Sequence, residues 1–336
     1  MLLVTGCGST DPHHDNVVLL PDPVASSQVW HWTAPCPVGP TAGSGCRRAG
    51  PVLGFAELNG DEWNLGGNGS TGSLSMSASS GGTVTMDGRF ADTPPCTEST
   101  CLAPSAYTWV RGYPSVLYGI NQCRAGTSPP VSRLLPFPMR LAAIPPHLVG
   151  VTAYAAQTGQ VTYDVAYDLW LHDTATRQPC SSEGTLEIMV WTDYDERALL
   201  PASMQIGTAS IPFAVGRVAR PGTQAWSVYA SNIGTDGQTA PWGGTLWFVP
   251  SPADVVGRGQ VSVDLSAVLG AAARILQDNY HWPQVGRRYW LDTASFGAEF
   301  GPASGSPMSS GPARFSMQIS AFCLDLRSTP QHAACP

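Results

Sequence analysis

Val161-Thr162-Tyr163-Asp164-Val165-Ala166-Tyr167-Asp168-Leu169-Trp170-Leu171 alternates between two chemistries along its length. Neighbouring side chains of an extended chain point to opposite faces. Val161, Tyr163, Val165, Tyr167, Leu169 and Leu171 therefore form an apolar face, while Thr162, Asp164, Asp168 and Trp170 fall on a polar face with an aromatic. Thr185 to Trp191 repeats the pattern, with Leu186, Ile188 and Val190 turned to a core and Thr185, Glu187, Met189 and Trp191 left together on the other side. Such alternation predicts strands with one buried face. A solvated strand face usually carries several charges and few large aromatics; here lone carboxylates stand beside tryptophan. Sugar rings offer apolar C–H faces that stack on indoles and hydroxyls that need acceptors, so these faces suit a carbohydrate cleft. A half-buried structural acid fits them equally well.

Outward from these strands, the pattern from Pro51 onward is of short alternating segments punctuated by glycine, without internal repeats, as an all-β sandwich gives. The composition agrees: 36 Gly and 30 Pro with only 12% charged residues suit short strands joined by many turns. One segment reads as a helix, Asp264 to Asn279, where Leu265, Val268, Leu269, Ala272, Ile275 and Leu276 recur at helical spacing and Asp264 can cap the start. One main domain is the default for 336 residues of this kind.

The net charge is −7, and the 17 basic residues are all arginine, scattered with no run longer than Arg47-Arg48 or Arg287-Arg288. A nucleic-acid surface is not expected. The absence of lysine removes Schiff-base and phosphate-loop lysine chemistry, although an all-arginine set also follows from a GC-rich genome. There is no G-x-S-x-G elbow, no stretch of about 18 apolar residues to span a membrane, and no histidine pair placed as metal ligands except His13-His14 near the start.

Nine cysteines without a C-x-x-C pair point to disulfides and an oxidising compartment. Leu3-Val4-Thr5-Gly6-Cys7 reads as the cleavage box of a bacterial lipoprotein, with Cys7 the acylated residue, or as an ordinary exposed N-terminal cysteine. The first reading needs a start codon placed too late, because the basic and apolar parts of a signal peptide are not in the chain. Residues 1–50, rich in proline, read as a signal remnant and tether in which Cys36 and Cys46 could close a loop. Cys96 and Cys101 are spaced for a small disulfide loop. A secreted or cell-envelope protein follows.

Three segments, Gly112-Tyr113-Pro114-Ser115-Val116-Leu117-Tyr118-Gly119, Tyr167-Asp168-Leu169-Trp170-Leu171 and Glu187-Ile188-Met189-Val190-Trp191, resemble glycoside hydrolase family 12 in motif, order and spacing. The likeness continues through Ile206-Gly207-Thr208-Ala209, Leu246-Trp247-Phe248-Val249-Pro250, the helix and Phe296-Gly297-Ala298-Glu299-Phe300, over about residues 51–327, leaving 328–336 as a tail. The resemblance implies a concanavalin-like β-jelly roll of two curved antiparallel sheets with one packed helix and an open substrate cleft. It implies a retaining endo-β-1,4-glucanase acting on cellulose-like, mixed-linkage or xyloglucan chains, with no cofactor or metal, and a monomer is expected. By the same likeness Glu187 is the nucleophile, Glu299 the general acid/base and Asp168 an assisting carboxylate. Met189 and Trp191 match cleft residues, and Trp63 a sugar platform.

The chain departs from the family in two places. It reads Asp61-Glu62-Trp63-Asn64 where Asn-x-Trp-Gly is usual, and Phe300-Gly301 follows the acid/base where Pro-Trp is common. The interval Ala225 to Trp247 is also longer than usual, so Trp242 is either a substrate contact on a loop crossing the cleft or a surface-packed tryptophan. Two other readings compete: a carbohydrate-binding sandwich that does not cut, which needs neither glutamate, and a β-1,4-xylanase, because the sister family 11 shares the jelly roll and the glutamate pair.

Overall fold

A computed structural model describes residues 28–33, 48–53, 56–62, 71–79, 83–91, 110, 112–119, 137–159, 161–173, 183–220, 225–240, 243–282, 285–302, 313–325, 329–330 and 332–333. Two sheets carry the fold. The eight-stranded sheet runs, edge to edge, β1 (Gln28–Thr33), β4 (Thr71–Ala78), β5 (Val84–Ala91), β18 (Ala313–Asp325), β8 (Val149–Thr158), β16 (Arg258–Asp264), β12 (Phe213–Val215) and β13 (Val218–Arg220). The ten-stranded sheet runs β11 (Gln205–Ser210), β14 (Ala225–Ser231), β15 (Gly244–Val249), β10 (Leu186–Tyr194), β9 (Val161–His172), β17 (Trp290–Pro302), β6 (Gly112–Gly119), β3 (Ala56–Glu62) and β2 (Arg48–Leu53), with β7 (Met139–Arg140) added beside β17. In each sheet a late strand is the splice between two groups of earlier ones. β17 joins β6 to β9, and β18 joins β5 to β8.

The apolar faces read from the alternation meet between the sheets. Val165, Tyr167, Leu169 and Leu171 of β9 and Leu186, Ile188 and Val190 of β10 share one cluster with Met86, Met317, Ile319 and Phe322 of the other sheet. Fully burying a side chain of this size contributes about 1.5–3 kcal/mol. Aromatic contacts tie the layers together: Tyr167 meets Phe296 edge-on at 4.8 Å, and Phe300 stacks on Phe315 at 5.0 Å. The buried Tyr167 hydroxyl finds a partner in Thr152 Oγ1 at 2.7 Å.

The expected helix is α1 (Leu265–Tyr280), capped by Asp264, whose carboxylate accepts from the Ala267 N–H at 2.9 Å. A four-residue helix, α2 (Val285–Arg288), follows it. Among the described residues no helix is long and apolar enough to cross a membrane.

The structure adds detail to four of these expectations. The sheets begin before residue 51, since β1 pairs with β4 and β2 with β3; an edge strand is held by its backbone ladder and needs little apolar alternation to announce it. The residues after 327 are not simply a tail: Ala333 is buried with Val149, Val151 and Cys323. The sheets are antiparallel except where β10 lies parallel to β15. Finally, the long interval 225–247 opens and closes on strand, in β14 and the first half of β15. Its turn is compact because Asn232, Asp236 and Gly237 take positive φ, and it docks on the end of α1, with Asp236 N–H donating to Tyr280 O at 3.0 Å and Trp282 Nε1–H to Gly234 O at 2.9 Å.

Candidate active site

With the apolar residues turned inward, β9, β10 and β17 present their other residues on the outer face of the ten-stranded sheet. Cross-strand partners share a face, so the register sorts these residues into rows. Glu187 lies opposite Trp170 and Thr293; Met189 opposite Asp168 and Ser295; Trp191 opposite Ala166 and Gly297; Tyr194 opposite Asp164 and Glu299. Asp168 thus stands between the row of Glu187 and the row of Glu299. A bulge between Trp191 and Asp193 brings Tyr194 into the last row.

Each acid is held differently. Glu187 is half-buried, and the hydroxyl of Thr245, its partner on β15, donates to its Oε2 at 2.9 Å. Asp168 is 4% exposed and accepts from Trp170 Nε1–H at 2.7 Å. Glu299 is 3% exposed; burial, then the charges of Asp164 and Glu187, hold its carboxyl well above the ordinary carboxylate range. Burial also holds Asp164 high, opposed by the Glu299 side chain in register with it and reinforced by the charge of Glu187. The Tyr113 hydroxyl donates to Ala166 O at 3.0 Å, and burial followed by Asp168 pushes its own ionisation well up.

Met189 and Trp191 lie on this face but are 1% and 0% exposed, packed with Tyr194, Leu200, Tyr229 and Trp247. Trp247 Nε1–H donates to Met189 Sδ at 3.1 Å. Behind the start of β10, the His172 ring sits 2.6 Å from Asp292 and 3.1 Å from Thr185 Oγ1. Thr185 O in turn accepts from Gly244 N–H at 2.9 Å, fixing β10 against β15 where Glu187 meets Thr245.

The structure therefore brings Glu187, Asp168 and Glu299 onto one face. It adds Asp164, Tyr113 and Thr245, to which the sequence reading gave no role. Asp164 carried a visible signal, because it shares the period-two face with Asp168. Trp63, Trp242 and Cys7 lie outside the described residues, as do the cysteines of the two expected loops. Among the described residues no cluster of three His, Cys, Asp or Glu side chains is arranged to hold a metal ion.

A family 12 xyloglucanase from Bacillus licheniformis superposes with a TM-score of 0.52 over 84% of this chain and 100% of its own, at 18% identity. The endoglucanase 3 of Trichoderma harzianum, from the same family, gives 0.51 over 90% of this chain and 98% of its own, at 15% identity. The fold is that of the family 12 glycoside hydrolases. No protein-family model and no curated protein matches the chain by sequence. The family 12 fold is a β-jelly-roll sandwich, and the four carboxyls of this chain are gathered on the outer face of its larger sheet.

Proposed function

We propose that the protein is a retaining endo-β-1,4-glucanase that cuts internal bonds of cellulose-like, mixed-linkage or xyloglucan chains, with Glu187 as nucleophile, Glu299 as general acid/base and Asp168 assisting. The observation that carries this reading is the contrast between the two glutamates. Retention needs one ionised carboxylate to attack the anomeric carbon and one protonated carboxyl to release the leaving oxygen. Glu187 is half-buried and held by a hydroxyl donor, whereas burial and neighbouring acids raise the Glu299 carboxyl well above the ordinary carboxylate range, which favours its protonated form. The family 12 xyloglucanase and endoglucanase share the fold and support the substrate class. Trp63 and Trp242 are proposed sugar contacts. Met189 and Trp191 are proposed to line the cleft once substrate displaces what covers them. Nine cysteines and the disulfide-bonded Cys323 support an extracytoplasmic site, with Cys7 as a lipid attachment point.

The test is hydrolysis of carboxymethylcellulose, barley mixed-linkage glucan, xyloglucan and xylan, followed by reducing ends, with product stereochemistry read by proton NMR. On an aryl β-cello-oligosaccharide, Glu299→Ala should form the intermediate and give a β-azide with added azide. Glu187→Ala should give an α-azide, because azide enters the vacated face. The same azide stereochemistry from both variants, or α-configured sugar released by the wild type, would overturn the assigned roles; cutting of xylan alone would move the substrate to xylan.

A further inference from the structure

Glu299 and Asp164 are direct cross-strand partners on β17 and β9, a spacing of about 4.5–5.5 Å between Cβ atoms. They are 3% and 0% exposed, and neither forms an ion pair among the described residues. Both Asp164 oxygens and Glu299 Oε2 are buried without a hydrogen-bond partner among the described residues, and the carboxyl in register with Asp164 across the strands is that of Glu299. Two ionised carboxylates have only acceptor oxygens and cannot hydrogen-bond each other. A buried pair in this position, with no cation beside it among the described residues, favours holding at least one proton.

The groups acting on the pair are three carboxyls and one neutral phenol, with no cation among them. Glu187 and Asp193 act from β10, Asp168 from β9, and Tyr113 from β6. This neighbourhood disfavours a second negative charge on the pair, and that has a chemical consequence for an acid/base glutamate. If the pair holds one proton, giving it to a leaving oxygen creates a buried dianion, so the singly protonated pair is a poor acid. If the pair holds two, Glu299 gives its own proton to the glycosidic oxygen as the C1–O bond breaks and Glu187 bonds to C1. The Asp164 hydroxyl then stays behind as a donor to the new Glu299 carboxylate. In the second step Glu299 takes a proton from water, the water oxygen bonds to C1, and Glu187 leaves as carboxylate.

We propose that Asp164 is the positioning residue of the acid/base: it forms a proton-sharing pair with Glu299, and the doubly protonated pair is the form that catalyses. The proposal rests on Glu299 being the acid/base. It places the alkaline limb of the activity profile at the first proton loss of the pair. Asp164→Asn substitutes an amide that donates to Glu299 at every pH, so a single titration remains, and it falls between the two steps of the wild-type pair.

The test combines two readouts on the full chain. Carbon-13 NMR of protein labelled at Asp and Glu carboxyls should show Asp164 and Glu299 titrating together in two steps in the wild type. In Asp164→Asn, Glu299 should lose its proton in one step, below the second wild-type step. The alkaline limb of kcat/KM on barley mixed-linkage glucan should move the opposite way, upward by about one pH unit or more. Independent single titrations in the wild type would overturn the pair, and this measurement needs no variant to fold. An alkaline limb that stays in place or moves down would overturn its catalytic role. A coupled titration in a protein that cuts no glucan or xylan would leave the pair standing and remove the proposed function instead.

Discussion

Gly297 lies two residues before Glu299 on β17, opposite Ser115 of β6. A Cβ built there would stand 2.7 Å from Ser115 Cβ and closer still to the Pro114 carbonyl oxygen. Ordinary contacts begin at 3.4 Å, so β17 and β6 must part by at least 0.7 Å (3.4 − 2.7) to admit Gly297→Ala. Neither neighbour can swing aside, since one is backbone and the other a Cβ. Overpacking of this kind costs about 1–3 kcal/mol. Glu299 rides on the same strand about 7 Å further on, so it shares the shift. A displacement of about 1 Å can cost about 10²-fold in rate, which places the expected loss of kcat on barley glucan at about ten- to a hundredfold. Urea denaturation gives the stability change and initial rates give the catalytic one. Gly207→Ala, at a site with nothing within 4 Å, is the control and should stay within about 0.5 kcal/mol of wild type. Wild-type stability and turnover in Gly297→Ala would refute the argument that close packing of β17 on β6 sets the position of Glu299.

Thr245→Val keeps the shape but removes the donor to Glu187; a hydrogen bond to a charged group contributes about 1.5–3 kcal/mol to the folded state, so urea titrations should show a loss of up to that size and kcat/KM should fall as well, and wild-type stability with full activity would discard this contact. His172→Ala removes the buried ring 2.6 Å from the Asp292 carboxylate and should destabilise by about 3–5 kcal/mol in urea titrations; a change under about 1 kcal/mol would show that the pair carries little. The folded state holds the Asp164 and Glu299 protons to higher pH than the unfolded chain does. Their contribution to stability is therefore full below the ordinary carboxylate range near about pH 4, and is lost as pH rises through the folded values, by about 1.4 kcal/mol per pH unit for each extra proton bound. Asp164→Asn should flatten that decline above the ordinary carboxylate range, and equal slopes in urea titrations would contradict it.

Period-two alternation made the central strands legible, because Tyr167, Leu169, Ile188 and Val190 must reach a core while Asp168 and Glu187 must not. The same parity places Phe296, Ala298 and Phe300 inward and Glu299 outward. What local sequence does not carry is register between distant strands. That Asp164 meets Glu299, or that Thr245 meets Glu187 across a parallel pair, depends on pairings between segments far apart in the chain. The bulge after Trp191 shifts the parity of β10 by one residue, so no reading of alternation could place Tyr194 in the row of Asp164. The edge strands β1 and β2 were hidden by flanking prolines and glycines, and the turn after β14 was read as a free loop because its anchor, the end of α1, lies about forty residues on.

The splice strands give the molecule an order of assembly. Until residues 290–302 are made, β6 and β9 each have an open edge, and until residues 313–325 follow, so do β5 and β8. Long-range strand pairing of this kind is slow, and chains grow at about 5–20 residues per second, so the stretch from β9 to β17 leaves these edges bare for roughly ten seconds during synthesis. Unpaired edges are where chains aggregate. The strand that closes the larger sheet is also the one that carries Glu299, so a chain that has not finished folding has no acid to work with.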